Sequence, residues 1–260
     1  MNMKEYKSHR SGEKKAPLTE VSVKIVYDNT ACDNNYQFGW GFSCLVDNRI
    51  LFDTGEAPKP LFYNLNQLNV EPEQIEAVVI SHDHWDHTGG LWDLLKRNRG
   101  LTVYACPGFG DEFKKTVTAL EGKLVTSSGF RKIEPMITVT GEIPGEYKGM
   151  PMPEQALVLE SDDELTMFTG CSHPGIIHML EIVQCQYHNK PFSLVLGGFH
   201  LMSTTRKEVQ DIAARMQDMG VRSVGPTHCT GDEAIKIFKN LYKEQYVPVH
   251  AGTQFKVHAA

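Results

Sequence analysis

The stretch Ser81-His82-Asp83-His84-Trp85-Asp86-His87 puts three imidazoles and two carboxylates within seven residues, straight after the apolar run Ala77-Val78-Val79-Ile80. A strand that ends in such a cluster aims several side chains at one point. Imidazole nitrogen and carboxylate oxygen are ligands that suit Zn²⁺ and related first-row ions. A divalent ion held with one open position brings hydrolytic or Lewis-acid chemistry. A purely structural role would crowd protonatable groups together with no ion to compensate them, which is costly.

Three more histidines recur where strands are expected to end. His173 follows Phe168-Thr169-Gly170-Cys171-Ser172, His228 follows Val224-Gly225-Pro226-Thr227, and His200 follows the run 193–199. A lone histidine in such a place is more often a capped or solvated residue. Three at equivalent points, beside the first cluster, fit a site whose ligands come from the carboxyl ends of different strands. Cys171 and Cys229 lie next to these histidines, and core packing is the expectation for both, because cysteine is commonly a small buried hydrophobe.

The elements that must position these residues follow from periodicity and turn chemistry. Residues 21–27 alternate at period two and read as a strand, and 42–46 with 49–52 read as a hairpin turning at Asp47-Asn48. Further strands are expected at 76–80, 101–106, 136–139, 156–159, 165–168, 193–196, 221–225 and 247–250. Helices are expected at 60–68, 90–98, 111–118 and 174–188. Two more start at the capping-box patterns Thr205-x-x-Glu208 and Thr230-x-x-Glu233, the first ending before Gly220. The Gly- and Pro-rich segment 141–153 reads as a long loop of the kind that forms lids. Strands followed by helices in each half point to two packed sheets with helices outside.

The 260 residues carry a net charge of −6, which argues against a nucleic-acid groove. No apolar run reaches the ~18–20 residues of a membrane span, and the hydrophilic start lacks the apolar middle of a signal peptide. Residues 1–20, with five basic side chains, read as a flexible arm, and 21–260 as one domain. No Cys-x-x-Cys pair occurs among the six cysteines, so free thiols in the reducing cytoplasm are expected.

With these residues in view, the chain resembles the metallo-β-lactamase-fold superfamily. His82, His84, Asp86 and His87 match its His-x-His-x-Asp-His signature, and Phe52-Asp53-Thr54-Gly55 matches its first motif. His173 and His228 match later motifs. The resemblance implies an α/β fold, an αββα sandwich of two mixed sheets flanked by helices. It also implies one or two divalent ions, with zinc the default and iron or manganese the alternatives. His82, His84 and His173 would share one ion, and Asp86, His87 and His228 the other, with Asp53 orienting ligands or water. The segment Leu196-Gly197-Gly198-Phe199-His200 lacks the bridging Asp that many dinuclear members carry, which puts the second ion in doubt. Within the superfamily, Gly170-Cys171-Ser172-His173-Pro174-Gly175-Ile176 and Thr227-His228-Cys229-Thr230-Gly231 resemble the dihydropterin-methyl ribofuranosyl-aminobenzene 5′-phosphate synthase-like subgroup.

Three functions follow as expectations. The first is a hydrolase of a small phosphorylated or ester substrate, with Asp86 or Asp53 positioning water or taking its proton. The second is a transferase joining a pterin-methyl diphosphate to an arylamine ribosyl phosphate. There Lys114, Lys115, Arg131 or Lys132, and free N–H groups at the helix starts near His173 and Thr230, would meet phosphate. The third is a non-catalytic metal-holding protein. His200, Trp40 and Trp85 are candidates for substrate contact, the two tryptophans alternatively packing beneath the histidine loop. The partner is a small molecule, phosphorylated or pterin-like, with neither nucleic acid nor membrane involved.

Overall fold

The structure is a computed structural model and describes residues 19–259. The arm expected at 1–20 falls outside these residues except for Thr19 and Glu20, which begin the first strand.

The first sheet comprises β1 (Thr19–Tyr27), β2 (Ser43–Val46), β3 (Ile50–Phe52), β4 (Ala77–Val79), β5 (Thr102–Ala105) and β6 (Lys123–Thr126). The second comprises β7 (Arg131–Glu134), β8 (Ile137–Val139), β11 (Leu157–Glu160), β12 (Leu165–Thr169), β13 (Phe192–Gly198) and β14 (Val221–Thr227), in the order β14-β13-β12-β11-β8-β7. Between β8 and β11 a small separate hairpin forms from β9 (Glu146–Tyr147) and β10 (Met150–Pro151). The last strand, β15 (Gln254–Ala259), returns to pair with β1 and gives the first sheet the order β15-β1-β2-β3-β4-β5-β6. Helices α1 (Pro58–Gln67), α2 (Trp85–Thr88), α3 (Leu91–Arg97) and α4 (Asp111–Ala119) connect strands of the first sheet. Helices α5 (Ile176–Gln186), α6 (Arg206–Asp218) and α7 (Asp232–Tyr242) serve the second.

Three apolar layers hold this αββα order. Cys44 and Val46, Ile50 and Phe52, and Val79 point between the sheets, where they meet Val139, Leu157, Leu159, Phe168 and Leu196. The alternate residues Leu45, Leu51 and Val78 face outward under α1, α3 and α4, beside Leu61, Leu65, Leu91 and Leu94. Val158, Met167 and Val195 do the same under α5, α6 and α7. Both faces of each central strand are covered, so these strands read as continuous apolar runs. Asp47 and Asn48 hold φ of 52° and 56°, the two left-handed positions of the tight hairpin turn that their types favour.

Four expectations need correction. Residues 247–250 form no strand: Val247 N–H donates to Val224 O at 2.8 Å, and Pro248 then has no N–H to extend a ladder. The capping box at Thr230 does not form. Gly231 caps α7, while Thr230 Oγ1 accepts from Phe199 N–H at 2.9 Å and ties two strand ends together. The box at Thr205 does form. The long loop at 141–153 contains the β9–β10 hairpin. Strands β6, β7 and β15 were not expected; each lies at a sheet edge and carries polar residues that blur its alternation.

Candidate metal centre

The histidine loop leaves the carboxyl end of β4 and turns at once into α2. Four non-glycine residues beside strand ends, Asp53, Ser172, His200 and His228, all have φ between 51° and 62°. That region is costly for residues with a side chain, and its concentration at one sheet edge is typical of functional sites.

At that edge the structure gathers the predicted residues from both halves of the chain. His82 Nε2 lies 3.1 Å from His84 Nδ1. The His173 ring centroid is 4.7 Å from that of His82 and 5.0 Å from that of His84. Beside them, Asp86 Oδ2 lies 3.2 Å from His228 Nε2 and 3.8 Å from His87 Nε2. Both ring nitrogens of His173 are buried without a hydrogen-bond partner, and Nε2 of His228 has only its ion-pair contact with Asp86. Buried polar atoms are nearly always partnered. Orphaned imidazole nitrogens converging with a carboxylate are the donor set that suits a divalent cation, so the residues fit the ion the fold implies.

The far sides of these rings are fixed by hydrogen bonds. His87 Nδ1 donates to Asp53 Oδ2 at 2.7 Å. Ser81 Oγ donates to the same oxygen at 2.7 Å and in turn accepts from His82 Nδ1 at 2.9 Å. Ser81 N–H takes Asp53 Oδ1 at 2.7 Å. One fully buried carboxylate thus sets the tautomer of two imidazoles and turns both Nε2 atoms toward the centre. Asn29 Oδ1 does the same for His228, at 3.0 Å from its Nδ1.

Charge follows geometry. Burial, with the neighbouring imidazoles, pushes His82 well below its usual pKa, so it is neutral. Burial also lowers His173, to about 3. Burial opposes protonation of His87 too, but the adjoining Asp53 carboxylate outweighs it and raises that pKa to about 9. Desolvation works against the Asp86 carboxylate, yet His228 and His87 hold it well below the ordinary range.

Sequence reading missed Glu154 altogether. Fully buried, it accepts four successive backbone N–H groups: those of Gly170, Cys171 and Ser172 on Oε1 at 2.9–3.1 Å, and that of His173 on Oε2 at 2.8 Å. Those four amides are therefore taken, just ahead of the α5 start at Ile176. Gln155 sends Nε2 to Ile80 O and Tyr104 O at 2.8 and 3.1 Å, and its own N–H to Ser81 O at 2.9 Å. Glu154-Gln155 therefore pins the His173 loop to the end of β4. The only signal in the sequence is an acid and an amide directly before an apolar run.

The centre floors a cleft of about 630 Å³ lined by Trp40, Trp85, Tyr147, Lys148, His200 and Met202, among others. Trp85 is 60% exposed and does not pack beneath the histidine loop; Trp40 lies with its ring 4.8 Å from that of His228. His200 lines the wall, its ring 4.6 Å from His173. Tyr147, from the β9–β10 hairpin, was not anticipated. Lys114, Lys115, Arg131 and Lys132 do not line this cleft. Asp83 turns away to accept from Gly110 N–H. Cys171 is buried, as expected of it, and its sulfur lies 3.3 Å from His87 Nε2. Cys229 is buried against Cys171 O at 3.6 Å but also reaches the cleft wall. All six thiols are free, and no helix among the described residues is long and apolar enough to cross a membrane.

Known proteins agree with this architecture. A family model described as a β-lactamase superfamily domain matches residues 48–140. The chain is 29% identical to the 7,8-dihydropterin-6-methyl-4-(β-D-ribofuranosyl)-aminobenzene-5′-phosphate synthase of Methanocaldococcus jannaschii, over 81% of this chain and 85% of that one. It is 31% identical to an uncharacterised protein of the same organism, over 88% and 98% of the two chains. The crystal structure of a metal-dependent hydrolase of the β-lactamase superfamily superposes with a TM-score of 0.76 and 28% identity, covering 92% of this chain and 99% of the other. The named relatives are enzymes, which places this chain among enzymes and leaves the non-catalytic alternative unsupported. By its fold, its histidine-bearing strand ends and these full-length likenesses, the chain belongs to the metallo-β-lactamase-fold superfamily.

Proposed function

We propose that the protein is a metal-dependent hydrolase acting on a small phosphorylated or ester substrate, with water as the nucleophile. The observation that carries this reading is the convergence of His82, His84, Asp86, His87, His173 and His228 on the floor of one aromatic-walled cleft. A divalent cation held by these residues, zinc by donor type, supplies Lewis acidity that acidifies water and stabilises negative charge on a substrate oxygen.

The chain's own residues divide the remaining work. Asp53 has both oxygens occupied by Ser81 and His87 and is fully buried, so it positions imidazoles. Asp86 reaches the cleft beside His87 and His228, so it is the carboxylate placed to orient water or take its proton. Trp40, Trp85 and Tyr147 offer flat faces to an aromatic substrate. Lys148, 4.9 Å from the Tyr147 ring, offers a cation at the rim for phosphate. Chelator-treated protein reloaded with zinc should hydrolyse a generic phosphomonoester, phosphodiester or lactone, and Asp86→Ala should abolish that turnover. No zinc-dependent turnover on any of the three would count against the hydrolase reading.

The likeness to the M. jannaschii synthase over most of both chains favours a second reading, transfer of a pterin-methyl group from its diphosphate to an arylamine ribosyl phosphate. A dihydropterin should then raise the melting temperature of the zinc-loaded protein. An unchanged melting curve at saturating pterin removes this reading and leaves the hydrolase reading intact.

A further inference from the structure

We propose that Cys171 is itself a metal ligand, its sulfur shared between the two histidine groups. The inference rests on the metal-dependent reading above and adds a residue to it. Cys171 Sγ lies within 4.8 Å of the ligand nitrogens of His82 and His173, and equally within 4.8 Å of those of His87 and His228. It therefore stands between the two clusters.

Three further observations separate this thiol from a packing cysteine. Its neighbours on the cleft side are imidazoles, and that of His173 has both nitrogens buried without a hydrogen-bond partner. Its backbone is held rigidly, since the Cys171 N–H and the amides on either side all bind Glu154. The strand end beside it has been cleared of side chains. A Cβ on Gly198 would lie 2.4 Å from Gly170 O, 2.6 Å from Cys229 Sγ and 3.3 Å from Cys171 Cα. The Cys229 sulfur and the Gly170–Cys171 backbone fill the space into which a side chain from β13 would project. Cys229 differs: its sulfur groups with His200 and Cys171 and not with the four central histidines.

Thiolate is a good ligand for zinc and its first-row relatives. A coordinated thiol is deprotonated, so loading the ion sends the Cys171 proton to solvent. Zinc–sulfur scattering should then appear at about 2.3 Å by X-ray absorption.

The test uses the full chain, stripped with chelator and reloaded anaerobically with cobalt(II). The cobalt protein should show a near-ultraviolet thiolate-to-metal charge-transfer band alongside its visible ligand-field bands. Cys229→Ser should keep the charge-transfer band and Cys171→Ser should lose it. Ligand-field bands without a charge-transfer band in the unmodified protein would overturn the proposal and leave the metal reading standing. A charge-transfer band that survives in Cys171→Ser and vanishes in Cys229→Ser would overturn it in favour of the other thiol. No cobalt bands at all would remove the metal reading, and this proposal with it. Should Cys171→Ser fail to fold, the unmodified protein still decides: zinc X-ray absorption with only nitrogen and oxygen neighbours refutes sulfur ligation.

Discussion

Replacing Glu154 by Gln tests whether one buried carboxylate organises half of the centre. The glutamine oxygen can keep the three amides that Oε1 now holds, but the new NH₂ group must face the His173 N–H that lies 2.8 Å from Oε2. One charge-assisted hydrogen bond is lost, about 1.5–3 kcal/mol, and a buried amide is left unpaired, about 1–3 kcal/mol. Relief of the desolvation that raises the Glu154 pKa to about 6 offsets part of this. The expected net cost is about 3 kcal/mol, a fall in melting temperature of roughly 6–12 °C for a domain of this size. His173 rides on the same loop, so zinc affinity should also fall about 10–100-fold. Differential scanning calorimetry of the chelator-treated protein gives the first number, and competition with a chromogenic chelator gives the second. Glu112→Gln, on an exposed turn of α4, should move neither. A Glu154→Gln protein that melts within about 2 °C of the unmodified chain and holds zinc as tightly would refute the reasoning.

Asp53→Ala should weaken zinc binding about 10–100-fold by freeing the His82 and His87 rings, read in the same chelator competition. Asp28, buried against Thr227 and Thr30, has its pKa raised from 3.8 to about 6 by desolvation, against the pull of those hydroxyls and of His228. A raised folded-state pKa favours the protonated fold, so stability is present below pH 3.8 and is lost as pH rises to about 6. Urea titrations of stripped protein should show the unmodified chain losing about 3 kcal/mol relative to Asp28→Asn across that window. Gly89→Ala would put a Cβ 1.9 Å from the Glu56 carbonyl oxygen, where only backbone movement gives relief, and should cost about 1–3 kcal/mol in denaturant titration.

What could be read in the sequence, and what could not, divides by physical range. The αββα order was legible because central strands covered on both faces must be apolar throughout, as 77–80 and 156–159 are. The aromatic-turned cleft was half legible: Trp40 and Trp85 stood in suspect loops, but Tyr147 lay in a segment whose Gly and Pro content hid a hairpin. The residues that hold the histidines were least legible. Glu154 acts on residues 16 to 19 positions away and Asn29 on a residue 199 away, and neither partner leaves a local period. Cys171 was legible as a buried thiol, but neighbouring letters do not say which way a strand-end side chain turns. Its direction is set by the left-handed Ser172 and the Glu154 anchor.

The two sheets meet the centre from opposite sides. His82, His84, Asp86 and His87 arrive on the loop after β4, and His173 and His228 arrive from the ends of β12 and β14. An ion bound by both groups would rivet the early half of the chain to the late half at the rim of the sandwich. Its binding energy would then count as folding energy, so cation supply would govern how long each molecule endures. At a free ion concentration a hundredfold above the dissociation constant, that linkage is worth about 2.7 kcal/mol.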